Sequence, residues 1–129
     1  VRAFYLLAVP ALALALGCCS RGDLGTQAIE GVTLIDGTPK APVSPATLII
    51  ERGRVIQFGP SNEITVPADA ERISGAGLYV FPLDPLVPIQ RGADANLILL
   101  SVNPALEPDY SKYVTGRMEI GRWTKYPKR

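Results

Sequence analysis

Asp36, Asp84, Asp94 and Asp109 are the side chains of this sequence whose loop or strand-end positions leave them available for acid, base or metal-binding work. Carboxylates act in pairs as general acid and base or nucleophile, and they ligate hard cations. Each of the four also has a plainer use. Asp36 precedes Gly37, a turn pairing. Asp94 stands just ahead of an apolar run, where a local hydrogen bond to backbone is the ordinary use. Asp84 and Asp109 lie in proline-containing stretches, and loop carboxylates are mostly solvated. The expectation is therefore that none of them is catalytic and none holds a metal. The sequence contains no histidine. That removes the base of Ser-His-Asp and Cys-His catalysis, and the usual neutral ligand of a catalytic zinc. Cys18 and Cys19 are adjacent, so a disulfide between them would be strained.

A chain of 129 residues is enough for one domain with one core. Lys and Arg number 13 and Asp and Glu 12, so nothing in the overall charge attracts nucleic acid. Twelve Gly and twelve Pro, most of them in the middle of the chain, suit short strands and turns better than long helices.

Ala28 to Ile35 reads as a strand ending at the turn pair Asp36-Gly37. Lys40 to Pro45 reads as a loop. Thr47 to Glu51 and Arg54 to Phe58 form a hairpin over Arg52-Gly53, with Gly53 taking a positive φ. Glu71-Arg72-Ile73 and Leu78 to Phe81 are further short strands, separated by the turn Ser74 to Gly77. Asn96 to Leu100 is continuously apolar after its first residue and is expected to be buried on both faces. Arg117 to Ile120 and Arg122 to Lys125 make a last hairpin near Gly121. Pro104 to Lys112 has only a weak helical option. The fold class expected is all-β, a small sandwich-like domain.

Ahead of this domain, Arg2 is followed by an apolar run from Ala3 to Leu16. A positive start, an apolar stretch and small residues at its end describe an export signal over 1–17. The run is too short to cross a bilayer comfortably. Leu14-Ala15-Leu16-Gly17-Cys18 resembles the lipobox of bacterial lipoproteins. That resemblance implies acylation of Cys18, with Cys19 as the alternative, and a membrane-anchored protein in the bacterial periplasm or cell envelope. Residues 18–27 would be its tether. A plain signal peptide without lipid is the other reading.

The order of pieces in the rest of the chain resembles the amidohydrolase superfamily. Ile29-Glu30-Gly31-Val32-Thr33-Leu34-Ile35-Asp36-Gly37-Thr38 is similar to its opening strand. Leu48-Ile49-Ile50-Glu51-Arg52-Gly53-Arg54-Val55-Ile56-Gln57-Phe58-Gly59-Pro60 is similar to its second and third strands. Ile73 to Pro82 is similar to the run that leads into its catalytic barrel. Gly92-Ala93-Asp94-Ala95-Asn96-Leu97-Ile98-Leu99-Leu100 then resembles the strand that follows the barrel, with Asn96 where the family usually has Asp. Asn103-Pro104 and Met118 to Trp123 resemble the segments after it.

The resemblance implies a composite β domain over 28–129. Its pre-barrel part is 28–82 and its post-barrel part 92–129, with the barrel absent between them. The family hydrolyses carbon–nitrogen, non-peptide bonds with water activated on one or two divalent metals. Its histidine ligands have no matching positions here. The expectation is a domain that is inactive alone and takes no cofactor in this chain; zinc or another divalent metal is expected only with a barrel. The alternative is a lipid-anchored binding or interaction module. Partners implied are the membrane, through the lipid anchor, and a second copy or a separate barrel chain on surfaces the barrel would cover; nucleic acid is not expected. Arg117, Arg122, Lys125, Lys128 and Arg129 surround Trp123 and Tyr126, and read first as a solvated hairpin face and tail, with contact to anionic lipid as the alternative.

Overall fold

A computed structural model describes residues 25–127. The expected leader 1–17, Cys18, Cys19, most of the tether, Lys128 and Arg129 lie outside the described residues. Eight strands follow in chain order: β1 (Thr26–Leu34), β2 (Val43–Glu51), β3 (Arg54–Pro60), β4 (Glu71–Ser74), β5 (Tyr79–Pro82), β6 (Leu97–Leu100), β7 (Val114–Glu119) and β8 (Arg122–Lys125). The domain is all-β, as the sequence pattern predicts. Single 3-10 turns lie at Ser61–Glu63 and Tyr110–Tyr113, and the weak helical option over 104–112 is taken up only by the second of these.

Both hairpins form where glycine was expected to turn the chain. At Arg52-Gly53 the φ angles are 52° and 84°, and at Ile120-Gly121 they are 48° and 78°. Two consecutive positive φ values make the tight turn whose twist matches that of its strands. The first position of each turn is a non-glycine residue in the left-handed region, which costs roughly 1–2 kcal/mol. Several expected boundaries move; β7 begins at Val114 and not Arg117, and β3 runs on to Pro60. β1 begins at Thr26, so Thr26 and Gln27 belong to the sheet and not to the tether; Gln27 is paired with Ile50 and is buried. β2 begins at Val43, inside the expected proline loop, because Val43 pairs with Leu34.

The strands follow the order β3-β2-β1-β5-β6-β7-β8, with β4 also on β1. The centre of the arrangement is β1. Its first half, Gln27 to Glu30, runs parallel to Glu71–Ser74. Its second half, Thr33 and Leu34, runs parallel to Tyr79 and Val80. The change of partner falls at Gly31, where φ is 79° and the register with β2 shifts. A bulge of this kind bends and twists the strand, and Gly75 N closes the gap with a 2.7 Å bond to Glu30 O.

The sheet folds over on itself as a result. Ile29, Leu48, Ile50, Val55 and Ile73 from its first half meet Val80, Leu97, Leu99 and Met118 from its second half in one buried cluster. The arrangement is sandwich-like although the strands form one hydrogen-bonded sheet. β6 is buried at all four positions, as its unbroken apolar run predicts.

Candidate functional site

The part of the fold with the most unused chemistry is the connection from β5 to β6. Pro82 and Leu97 are registered partners of an antiparallel pair. Leu83 N extends that ladder with a 3.1 Å bond to Asn96 O. The intervening loop turns back at Val87 N to Asp84 O, 2.8 Å, and is tied to β3 by Gly92 N to Val55 O, 2.6 Å. It encloses a cleft of about 370 Å³ with Val55, Val87 and Ile89 on its apolar side and Asp84, Asp94 and Asn96 on its polar side.

This cleft brings two of the four aspartates together, Asp84 and Asp94, and leaves out Asp36 and Asp109. Asp84 Oδ1 accepts a hydrogen bond from Leu86 N at 3.0 Å and so holds its own loop. Asp94 is exposed, and its backbone bridges Arg54 of β3. Asn96 Oδ1 accepts from Ile120 N at 2.7 Å, so this side chain fixes the β7–β8 turn. Asp36 Oδ1 accepts from Thr38 N at 2.9 Å and Thr38 Oγ1 at 2.6 Å, which is the turn role expected of it. Asp109 pairs with Lys112 at 3.0 Å on the surface. Among the described residues no three His, Cys, Asp or Glu side chains converge where they could hold a metal ion. The cleft can take a small apolar group; of its two carboxylates, Asp84 holds its own loop and Asp94 is exposed, engaged through its backbone.

A second hollow, of about 530 Å³, has Glu30, Arg72, Thr47 and Ser61 on its walls. Its polar groups serve one another: Arg72 Nη1 lies 2.9 Å from Glu30 Oε2, and the Thr47 and Ser61 hydroxyls are 2.9 Å apart.

The C-terminal hairpin carries a feature that sequence reasoning missed. Gln27 of β1 donates from Nε2 to Gly121 O at 2.9 Å and accepts at Oε1 from Trp123 Nε1 at 2.7 Å. One buried amide thus ties the start of the sheet to its end. A polar residue in the expected tether gave no signal of this; the sequence feature that could have pointed to it is the indole N–H of the single tryptophan, which needs an acceptor when buried. Of the basic residues around Trp123, Arg117 pairs with Glu119 at 2.8 Å, and Lys125 donates to Val114 O at 2.7 Å.

No family model matches the chain, and a comparison with curated proteins gives no match. Solved structures resemble part of it. A molinate hydrolase structure is 37% identical over 46% of this chain and 13% of its own, with a TM-score of 0.43. A phenylurea hydrolase B structure is 38% identical over 46% and 13%, with a TM-score of 0.42. A putative prolidase from Bifidobacterium longum is 26% identical over 46% and 15%, with a TM-score of 0.43. These neighbours are amidohydrolase-family enzymes. The chain therefore spans a small fraction of the length of each protein it resembles.

Proposed function

We propose that this chain is the non-catalytic β domain of an exported, amidohydrolase-like metal-dependent hydrolase, of a family acting on carbon–nitrogen, non-peptide bonds, with its barrel deleted or supplied by a separate chain. One observation carries the reading. The sequence passes from the pre-barrel to the post-barrel pattern between Pro82 and Gly92, and Pro82 and Leu97 are neighbours in an unbroken sheet. A domain inserted at that point leaves from and returns to adjacent positions, so its presence or absence does not alter the pairing on either side.

The residues present do not fit the family's metal. There is no histidine, and the carboxylates of the cleft number two, of which Asp84 already holds its own loop. No hydrolytic step is therefore assigned to this chain. An acyl group on Cys18, or on Cys19, would hold the domain at the bacterial cell envelope. The test is direct: the purified chain, given zinc and a panel of amide, lactam and dipeptide substrates, should show no metal-dependent turnover. Turnover abolished by a chelator would overturn the reading. Resequencing the DNA across the codons for Phe81 to Gly92 separates the two origins, because an intact gene would be longer there by about 250 codons, the length of a typical barrel.

A second reading, a lipid-anchored interaction module, draws on the completeness of the core. Side chains from before and after the junction bury one another without any barrel. It requires residues 21–129 to unfold as one cooperative unit.

A further inference from the structure

The end of the domain at which the chain arrives from its N-terminal segment is built from two turns. Gly25 O accepts a hydrogen bond from Arg52 N at 2.9 Å, which places the arriving chain against the β2–β3 turn. That turn meets the β7–β8 turn so closely that a Cβ on Gly121 would lie 2.3 Å from Gly53 Cα. Residues 91–94 run beside them along β3, through Gly92 N to Val55 O and Val55 N to Ala93 O. This end exposes Arg52, Arg54 and Arg122, with Arg91 further along β3, against Glu51, Asp94 and Glu71, which β4 sets beside Gln27; Arg54 Nη1 donates to Gly92 O at 3.0 Å, and Glu119 is held by Arg117. Ile120, at the tip of the second turn, is 54% exposed. Lys40 lies beyond the opposite end of β1, which over its length separates the two ends by about 30 Å.

Arginine is suited to phosphate because its planar fork offers two parallel N–H donors. An apolar side chain among basic ones is the composition of a surface that rests in the headgroup region of a bilayer. Position supplies the second argument. Residues 18–25, fully extended, reach only about 25 Å. Acyl chains on Cys18 would keep this arginine-bearing end, and not the Lys40 end, within that distance of the membrane. We propose that the paired turns 52–53 and 120–121 dock on the anionic phospholipid headgroups of the membrane that holds the chain, with Arg52 and Arg122 on phosphate and Ile120 in the interface. The inference rests on the reading that Cys18 or Cys19 is acylated.

The test uses the full chain bound to two kinds of vesicle, phosphatidylcholine alone and phosphatidylcholine with an equal part of phosphatidylglycerol. Phenylglyoxal modifies exposed arginines, and mass spectrometry reads the rate at each one. On the anionic vesicles Arg52 and Arg122 should react about fivefold more slowly, the factor that corresponds to the attraction of one basic residue to such a surface. High salt should restore the rate. Acetylation of Lys40, at the far end, should proceed equally on both. Equal arginine rates on the two vesicles overturn the docking face while leaving the anchor intact. A full chain that binds neither vesicle overturns the acylation reading, and the docking face with it.

Discussion

Gln27 offers the sharpest check on how the two ends of the sheet are joined. Its side chain is 6% exposed and makes two hydrogen bonds, to residues 94 and 96 positions away. Replacing it by leucine, of similar size, removes both bonds and leaves two groups unpaired. The Gly121 carbonyl belongs to a buried residue, so losing its donor costs about 1–2 kcal/mol. Trp123 is half-buried, and water can partly replace its acceptor, so its share is about 1 kcal/mol. Greater apolar burial by leucine offsets some of this. The net loss should be about 2 kcal/mol, which for a domain of this size lowers Tm by about 10 °C. Circular dichroism melts of residues 21–129 read the change, and Trp123, the single tryptophan of the chain, reports by fluorescence on the same contact. Two further variants guard the interpretation. Gln57→Leu, on the exposed part of β3, should change stability by less than about 0.5 kcal/mol. Adding Trp123→Phe to Gln27→Leu should cost less than the sum of the two single changes, because the indole donor is then no longer stranded. A loss at Gln27 no larger than that at Gln57, or a melt that is not cooperative in the parent chain, would refute the idea that this amide joins the halves.

Two other perturbations follow from the same geometry. Gly121→Ala combines a φ of 78° with a Cβ 2.3 Å from Gly53 Cα, and should cost at least about 3 kcal/mol in denaturant unfolding. Gly77→Ala, at a φ of 80° but facing open space, should cost only about 1 kcal/mol; equal losses would mean that the two turns do not meet. Leu86 is 88% and Val87 58% exposed on the β5–β6 loop, so residues 21–129 should self-associate in sedimentation, and Leu86→Ser with Val87→Ser should shift them toward monomer. A monodisperse monomer of the parent chain would contradict this.

The strands were legible because their signals are local. Alternating or continuous apolar runs bounded by Gly, Pro and Asp mark β2, β3, β6 and β7 wherever they end up in space. The hairpin turns were legible for the same reason. The partners of β1 were not. Parallel pairing joins segments some forty residues apart, Gln27 with Glu71 and Thr33 with Tyr79, and leaves no mark in either segment alone. The two halves of β1 read as one strand because Gly31 is a single residue, and a lone glycine within a strand marks a bulge only in retrospect. At the candidate site, Asp36 was readable as a turn residue from its neighbour Gly37. The meeting of Asp84 with Asp94 depended on how the loop folds back on β3, which no spacing rule encodes. Asn96 showed only as a departure from a family pattern, and its partner, Ile120 N, lies in a different hairpin.

The junction also sets a physical balance for a domain without a barrel. Antiparallel neighbours accept almost any connection, whereas parallel strands require a long crossover. β5 and β6 are antiparallel, so the loop between them is free to be short. Closing an unstructured loop becomes harder with its length as 1.5 RT ln n, so exchanging about 250 residues for roughly 14 favours the folded sheet by up to about 2.5 kcal/mol. That is an upper bound, because a folded barrel holds its own ends together. On the other side stands the exposed apolar surface of the short loop itself, at Leu86 and Val87. One exposed leucine and one exposed valine forgo about 2–4 kcal/mol of burial. The two terms are of similar size and opposite sign. On the proposed reading, a domain shortened in this way is expected to keep its fold and to show stickiness at the junction, and not unfolding of the sheet.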